Sequence, residues 1–161
     1  MIKSILNSSS CAECRLCCIF DSYEIWETPV LDAETMDKIK KLDNEAEFYS
    51  FGNCFKMKIS KEKLNENQMF LCPALDQKSG CRLGDHKPFE CRIWPFRIMN
   101  FNGKRVIAIA PICPAIMKKP LNELVNFLNA GLAEKIFSYG DEHPEIIKDH
   151  DNSYPILIFE K

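Results

Sequence analysis

The chain has 161 residues, 46% of them hydrophobic and 27% charged, which places it among folded globular proteins and outside the disordered and fibrous classes. The 21 basic residues against 23 acidic ones leave a net charge of −2, so there is no electrostatic footprint for nucleic acid or an anionic membrane surface. One domain over residues 1–161, large enough to bury a real core, is the expectation at this length.

Residues 1–10 are polar and too short to hold the apolar stretch of a signal peptide, and no run approaches the roughly 20 apolar residues of a membrane span. A cytoplasmic protein with no membrane partner is therefore expected. The run Cys11-Ala12-Glu13-Cys14-Arg15-Leu16-Cys17-Cys18 follows, and it lacks the apolar periodicity of a core helix or strand. After it come Tyr23-Glu24-Ile25-Trp26 and a breaker at Pro29. Asp32 has the chemistry of an N-cap for a helix of about three turns with Met36, Ile39 and Leu42 on one face. Phe48 to Ile59 and Met69 to Leu71 read as short strands, and Asp76 to Gly84 as a loop rich in Gly, Ser and Asp.

The next segment is the most strongly patterned. Residues 96–101 and 104–109 flank Asn102-Gly103, whose two positive-φ positions suit a type I′ turn, so a β-hairpin is predicted over about 96–109. Pro111-Ile112-Cys113-Pro114 ends it. A long amphipathic helix is predicted over about 120–138, with Leu121, Leu124, Val125, Leu128, Leu132 and Ile136 as its buried stripe and Gly140 as its stop. A short helix at Glu142 to Lys148 and a strand at Tyr154 to Phe159 complete an α+β chain, read as a cysteine-cluster region 11–115 and a helical region with terminal strand 116–161.

Nine cysteines in this length exceed what a core needs. Thiols inside a reducing compartment favour metal over disulfides, the count is odd, and adjacent Cys17 and Cys18 are badly placed for a mutual bridge. The isolated Cys54, Cys72, Cys81, Cys91 and Cys113 lie mostly near Gly or Pro, in segments where freed backbone amides can hydrogen-bond thiolates. Each has the alternative of being a small buried hydrophobe, most of all Cys54. Cys11, Cys14 and Cys17 have the spacing of a bacterial iron–sulfur run, whose last ligand precedes Pro, a context that Cys72-Pro73 and Cys113-Pro114 both offer. Zinc commonly uses two separate Cys-x-x-Cys knuckles, and a second is absent. These spacings favour a [4Fe-4S] cluster over zinc, on Cys11, Cys14, Cys17 and a distant Cys-Pro cysteine, Cys72 slightly ahead of Cys113, with Cys81 and Cys91 close by in a second centre or the remaining shell.

The pattern Cys11, Cys14, Cys17 and Cys18, then Cys54, Cys72 with Leu75, Cys81, Pro88, Cys91 with Arg92, and Cys113 resembles the CxxCxxCC family of zinc- or iron-chelating cysteine-cluster proteins. The resemblance covers about residues 11–115 and implies that all nine cysteines belong to the metal-binding set. Two positions depart from the family pattern. Leu83-Gly84 stands where Ile-Tyr is usual, and Lys87 replaces the Arg before Pro88.

Around the cysteines, His86 is a surface residue or a mixed ligand, and His143 and His150 are read as solvated. Arg15, Arg92 and Arg97 are candidates to offset thiolate charge, and Phe89, Trp94 and Phe96 to wall a centre from water. No phosphate-binding Gly loop, nucleophile elbow or Ser/His/Asp set is present. Three functions follow: an iron–sulfur protein for electron transfer or redox sensing with an unidentified redox or protein partner; a structural zinc module that binds another protein; and a cluster-dependent enzyme with an open iron site. Flagellin lysine methylases, whose cysteine pattern is similar, give the third its precedent.

Overall fold

The computed structural model describes residues 1–2, 4–21 and 27–160. Tyr23-Glu24-Ile25-Trp26 lies outside the described residues. The fold is α+β, and the chain divides into two compact units, Asn7–Cys91 and Met1–Leu6 with Arg92–Lys161. Among the described residues no helix is long and apolar enough to cross a membrane.

In the first unit the cysteine run, which lacks the apolar periodicity of a core helix, nevertheless starts in a helix, α1 (Ser8–Cys14). Asn7 caps it by accepting from the Ser9 N–H, and Arg15 ends it in the left-handed conformation, φ 58°. The polar sequence hid this helix because its start rests on one cap and its end on one backbone reversal rather than on an apolar stripe. A 3-10 turn at Leu16–Cys18 leads into β1 (Ile19–Asp21). Helix α2 (Ala33–Leu42) is the one predicted, with the Asp32 carboxylate accepting from the Thr35 N–H at 2.6 Å and Ile39 fully inside. Strands β2 (Phe48–Phe51) and β3 (Cys54–Met57) form a hairpin across Gly52, φ 60°, and β4 (Met69–Leu71) pairs antiparallel with β1. The expected loop at 76–84 contains a small hairpin, β5 (Leu75–Asp76) and β6 (Gly80–Cys81). Its turn is held by the Asp76 carboxylate, which accepts from Lys78 N–H, Ser79 N–H and the Ser79 hydroxyl. Phe20, Leu31, Ile39, Ala46, Met57, Phe70, Ala74 and Leu83 form this unit's core, and Cys72 and Cys81 pack against it.

Helix α3 (Phe89–Ile93) carries the chain into the second unit. There β7 (Phe96–Phe101) and β8 (Lys104–Ile109) make the predicted hairpin, with Asn102 at φ 52° and Gly103 at φ 78°. The short helix α4 (Pro114–Met117) follows, with Cys113 at its N-cap. The long helix breaks in two: α5 (Leu121–Phe127) and α6 (Ala133–Glu142) are separated by a wide turn in which Gly131 adopts φ 110°. Leu124, Leu128, Leu132 and Ile136 are buried as expected, but Leu121 is 62% exposed.

Gly140 is not a stop. It lies inside α6 because a Cβ there would meet Ile98 Cδ1 at 2.6 Å, so glycine is what lets the helix sit on β7. The expected helix at 142–148 shrinks to a 3-10 turn at Pro144–Ile146 and β9 (Lys148–Asp149). With β10 (Ile156–Phe159) the strands order β10-β8-β7-β9, and only the β7–β9 pair is parallel.

Candidate functional site

The register of β1 and β4 controls where thiols meet. Ile19 faces Leu71 and Phe20 faces Phe70, so the next step outward brings Cys18 opposite Cys72, and the Cys72 N–H donates to the Cys18 carbonyl at 2.8 Å. Directly opposed residues of an antiparallel pair put their side chains on the same face. Cys81 arrives on β6, held by its pairing with Leu75. Cys91 arrives on α3, whose preceding residue Glu90 is 3% exposed and accepts from the Val30 N–H at 2.6 Å.

These elements make a cleft with about 50 Å³ of free volume, lined by Cys17, Cys18, Cys72, Cys81, Cys91 and Lys87. Its apolar wall is Phe20, Leu31, Ile39, Met57 and Leu83, drawn from the unit's core. Phe89, Trp94 and Phe96, expected to wall a centre, do not line it. Phe96 stacks instead on Phe127 in the second unit, with ring centres 6.3 Å apart, and the Arg97 guanidinium lies 4.7 Å over Trp94.

The Cys17 and Cys18 sulfurs are 3.9 Å apart. Zinc–thiolate bonds of about 2.3 Å give a tetrahedron edge of about 3.8 Å, so these two sulfurs have the separation of ligands on one ion. Sulfurs this close suit a single ion better than a cubane, whose four irons spread the thiolates over a wider surface. The thiols are nevertheless not drawn into a finished shell: among the described residues no group of three or more His, Cys, Asp or Glu side chains is arranged to hold a metal. Among the described residues, no cysteine is in a disulfide.

Crowding sets the acidity of the cleft. The bond from Cys18, then burial, then the Cys18 charge push the Cys17 thiol far up, against the lowering effect of Lys87. For Cys18 the bond with Cys17 pulls down, but the bond with Cys72, burial, and the charges of Cys72 and Cys81 push the thiol up to about 12. Cys91 is an exposed residue that lines the cleft. Desolvation there, then the charges of Cys17, Cys18, Glu90 and Cys81, push it well above the ordinary thiol range. A cation in the cleft would reverse these shifts, because thiolates are what a metal binds.

The remaining cysteines are placed differently. Cys11, half-buried, and Cys14, exposed, lie on α1 and do not line the cleft. Their helix is nonetheless docked beside Cys81: a Cβ on Gly80 would come within 3.3 Å of Ala12, and the Arg15 guanidinium donates to the Gln77 carbonyl at 2.7 Å. Arg15 thus ties the cysteine run to the β5–β6 turn. Cys54 is half-buried on β3, and Cys113 is buried in the second unit.

Among the histidines, His86 is exposed, with Nδ1 2.6 Å from the Lys38 ammonium. His143 stacks on Tyr139, and His150 contacts the Tyr154 carbonyl and the Phe101 ring, so neither is simply solvated. One residue of the cleft and one that supports it escaped the sequence. Lys87 was visible only as a departure from a pattern, and Glu90 only as a charge inside the apolar stretch Pro88-Phe89-Glu90-Cys91.

No family model, no curated protein and no solved structure matches the chain.

Proposed function

We propose that the protein binds metal through cysteine thiolates, and that its centre is a single tetrahedral ion, zinc or mononuclear iron, held by four of Cys17, Cys18, Cys72, Cys81 and Cys91. The observation that carries this reading is the convergence of five thiols from four separate segments on one small cleft, with two sulfurs already at the edge length of a tetrahedral site. Bound there, the ion would supply a fixed positive charge that locks the segments together; as iron it would also supply one-electron redox chemistry.

The chain's own groups do the rest. Lys87 offsets the excess negative charge of the thiolates, Phe20, Leu31, Met57 and Leu83 keep bulk water from the inner wall, and Glu90 fixes the helix that carries Cys91. With a redox-inert ion the protein is a structural or protein-binding module.

A second reading keeps the [4Fe-4S] cluster on Cys11, Cys14, Cys17 and Cys72. What favours it is the close packing of α1 on β6, which keeps the helix bearing Cys11 and Cys14 near a strand whose Cys81 lines the cleft.

Anaerobic purification with metal analysis and a visible spectrum tests both. About one zinc or iron per chain with no sulfide supports the single ion. Brown protein with broad absorption near about 400 nm and acid-labile sulfide supports the cluster. Reduced protein that takes up neither metal in competition with a mild chelator ends both readings.

A further inference from the structure

Within the cleft one pair of thiols stands in a special relation. The β1–β4 ladder ends at Ile19 and Leu71, and one step beyond it the Cys72 N–H donates to the Cys18 carbonyl at 2.8 Å while the Cys18 N–H turns to the Arg15 carbonyl. Both side chains also line the same cleft. Residues opposed across antiparallel strands have Cα atoms about 4.5–5.5 Å apart, inside the range of about 4.4–6.8 Å that a disulfide spans. The other close pair, Cys17 and Cys18, cannot bridge as easily. Neighbouring Cα atoms across a trans peptide are held at about 3.8 Å, below that range. The ladder therefore selects one partner for Cys18.

We propose that Cys18 and Cys72 form a dithiol that closes to a cross-strand disulfide under a low-molecular-weight disulfide such as oxidised glutathione, and that closure expels the metal from the cleft. The second clause rests on the metal-binding reading above; the first does not.

The step balances as thiol–disulfide exchange. One protein sulfur attacks a sulfur of the oxidant, its S–H proton is lost, and the first glutathione thiolate leaves. The second protein sulfur then attacks the mixed disulfide, losing its own proton and expelling the second glutathione thiolate, and the two thiolates take up two protons. The protein pair is oxidised by two electrons and the oxidant is reduced to two thiols. Only three of the five cleft thiols then remain, one short of a tetrahedral shell.

The test treats the whole reduced chain, zinc-loaded and zinc-free, with oxidised glutathione, maps disulfides by non-reducing peptide mass spectrometry, and follows released zinc with a chromogenic chelator. The expected result is a Cys18–Cys72 linked peptide as the dominant product, zinc loss in step with it, and recovery of both thiols and zinc binding after dithiothreitol. The Cys54→Ser variant, altered outside the cleft, should give the same link. A dominant link to Cys17, Cys81 or Cys91, stable glutathione adducts, or persistence of both thiols overturns the proposal. If the link forms but the reduced protein never held zinc or iron, the disulfide stands and the metal reading falls. If the reduced protein holds metal and no such link forms, the reverse holds.

Discussion

Cys18 is the residue on which the cleft turns, since its sulfur touches that of Cys17 and its carbonyl accepts from the Cys72 N–H. The Cys18→Ser variant is expected to lose at least half of the bound metal under chelator competition, while Cys54→Ser keeps it. Lys87→Met should weaken metal binding about tenfold, as removal of groups that support ligands commonly does, with little change in the melting temperature of the metal-free protein.

The raised thiols also fix a pH dependence. Cys17, Cys18 and Cys91 hold their protons in the metal-free fold above the ordinary thiol value of about 8.5. Above that pH the unfolded chain binds fewer protons than the native one, so the metal-free protein should lose stability as pH rises from about 8.5 toward 12. Metal uptake must displace the same protons, so apparent affinity should climb over that window. Calorimetric titrations in buffers of different ionisation heat should register proton release on binding; a release of zero would contradict thiol ligation.

At the scale of elements, four glycines give separable predictions. Gly80 has φ 82°, and a Cβ would press on Ala12 at 3.3 Å, so Gly80→Ala strains the backbone and pushes α1 from β6. Gly84, φ 56°, has open space around the same missing atom and serves as the control. Gly80→Ala should therefore lower both stability and metal content, and Gly84→Ala stability alone. Gly140→Ala drives a methyl into Ile98, itself 2% exposed, and should cost about 1–3 kcal/mol by denaturant melts. Gly131→Ala meets no neighbour but must hold φ 110°, and a cost of about 1–2 kcal/mol is expected from backbone strain.

Over the whole molecule the two units rest on different foundations. The second is built on a four-stranded sheet with Phe96, Ile98, Met99, Val106 and Ile107 buried, whereas the first joins three two-stranded pairs around a small core and the cysteine cleft. Stripping metal should therefore loosen Asn7–Cys91 and leave the sheet alone. Hydrogen exchange on chelated protein is expected to speed up at β1, β4 and β6 and stay unchanged at β7 and β8. Uniform protection in both states would mean that no metal organises the first unit.

What the sequence by itself determined was local. The Asn102-Gly103 turn, the Asp32 cap and the buried stripe of Leu124, Leu128, Leu132 and Ile136 were legible because each depends on backbone preferences within a few residues. The helix at Ser8–Cys14, the break at Gly131 and the real role of Gly140 were not, because a polar helix shows no stripe, and a glycine in a sequence does not say whether it bends the chain or clears space for Ile98. The number of the cysteines marked them as the candidate chemistry. Which of them meet was decided only in three dimensions, because Cys18 finds Cys72 through the register of two distant strands, and Cys81 and Cys91 reach the same cleft on a hairpin and a helix held by Arg15 and Glu90. Spacing along the chain reports neighbours in sequence; strand pairing and core packing choose the neighbours in space.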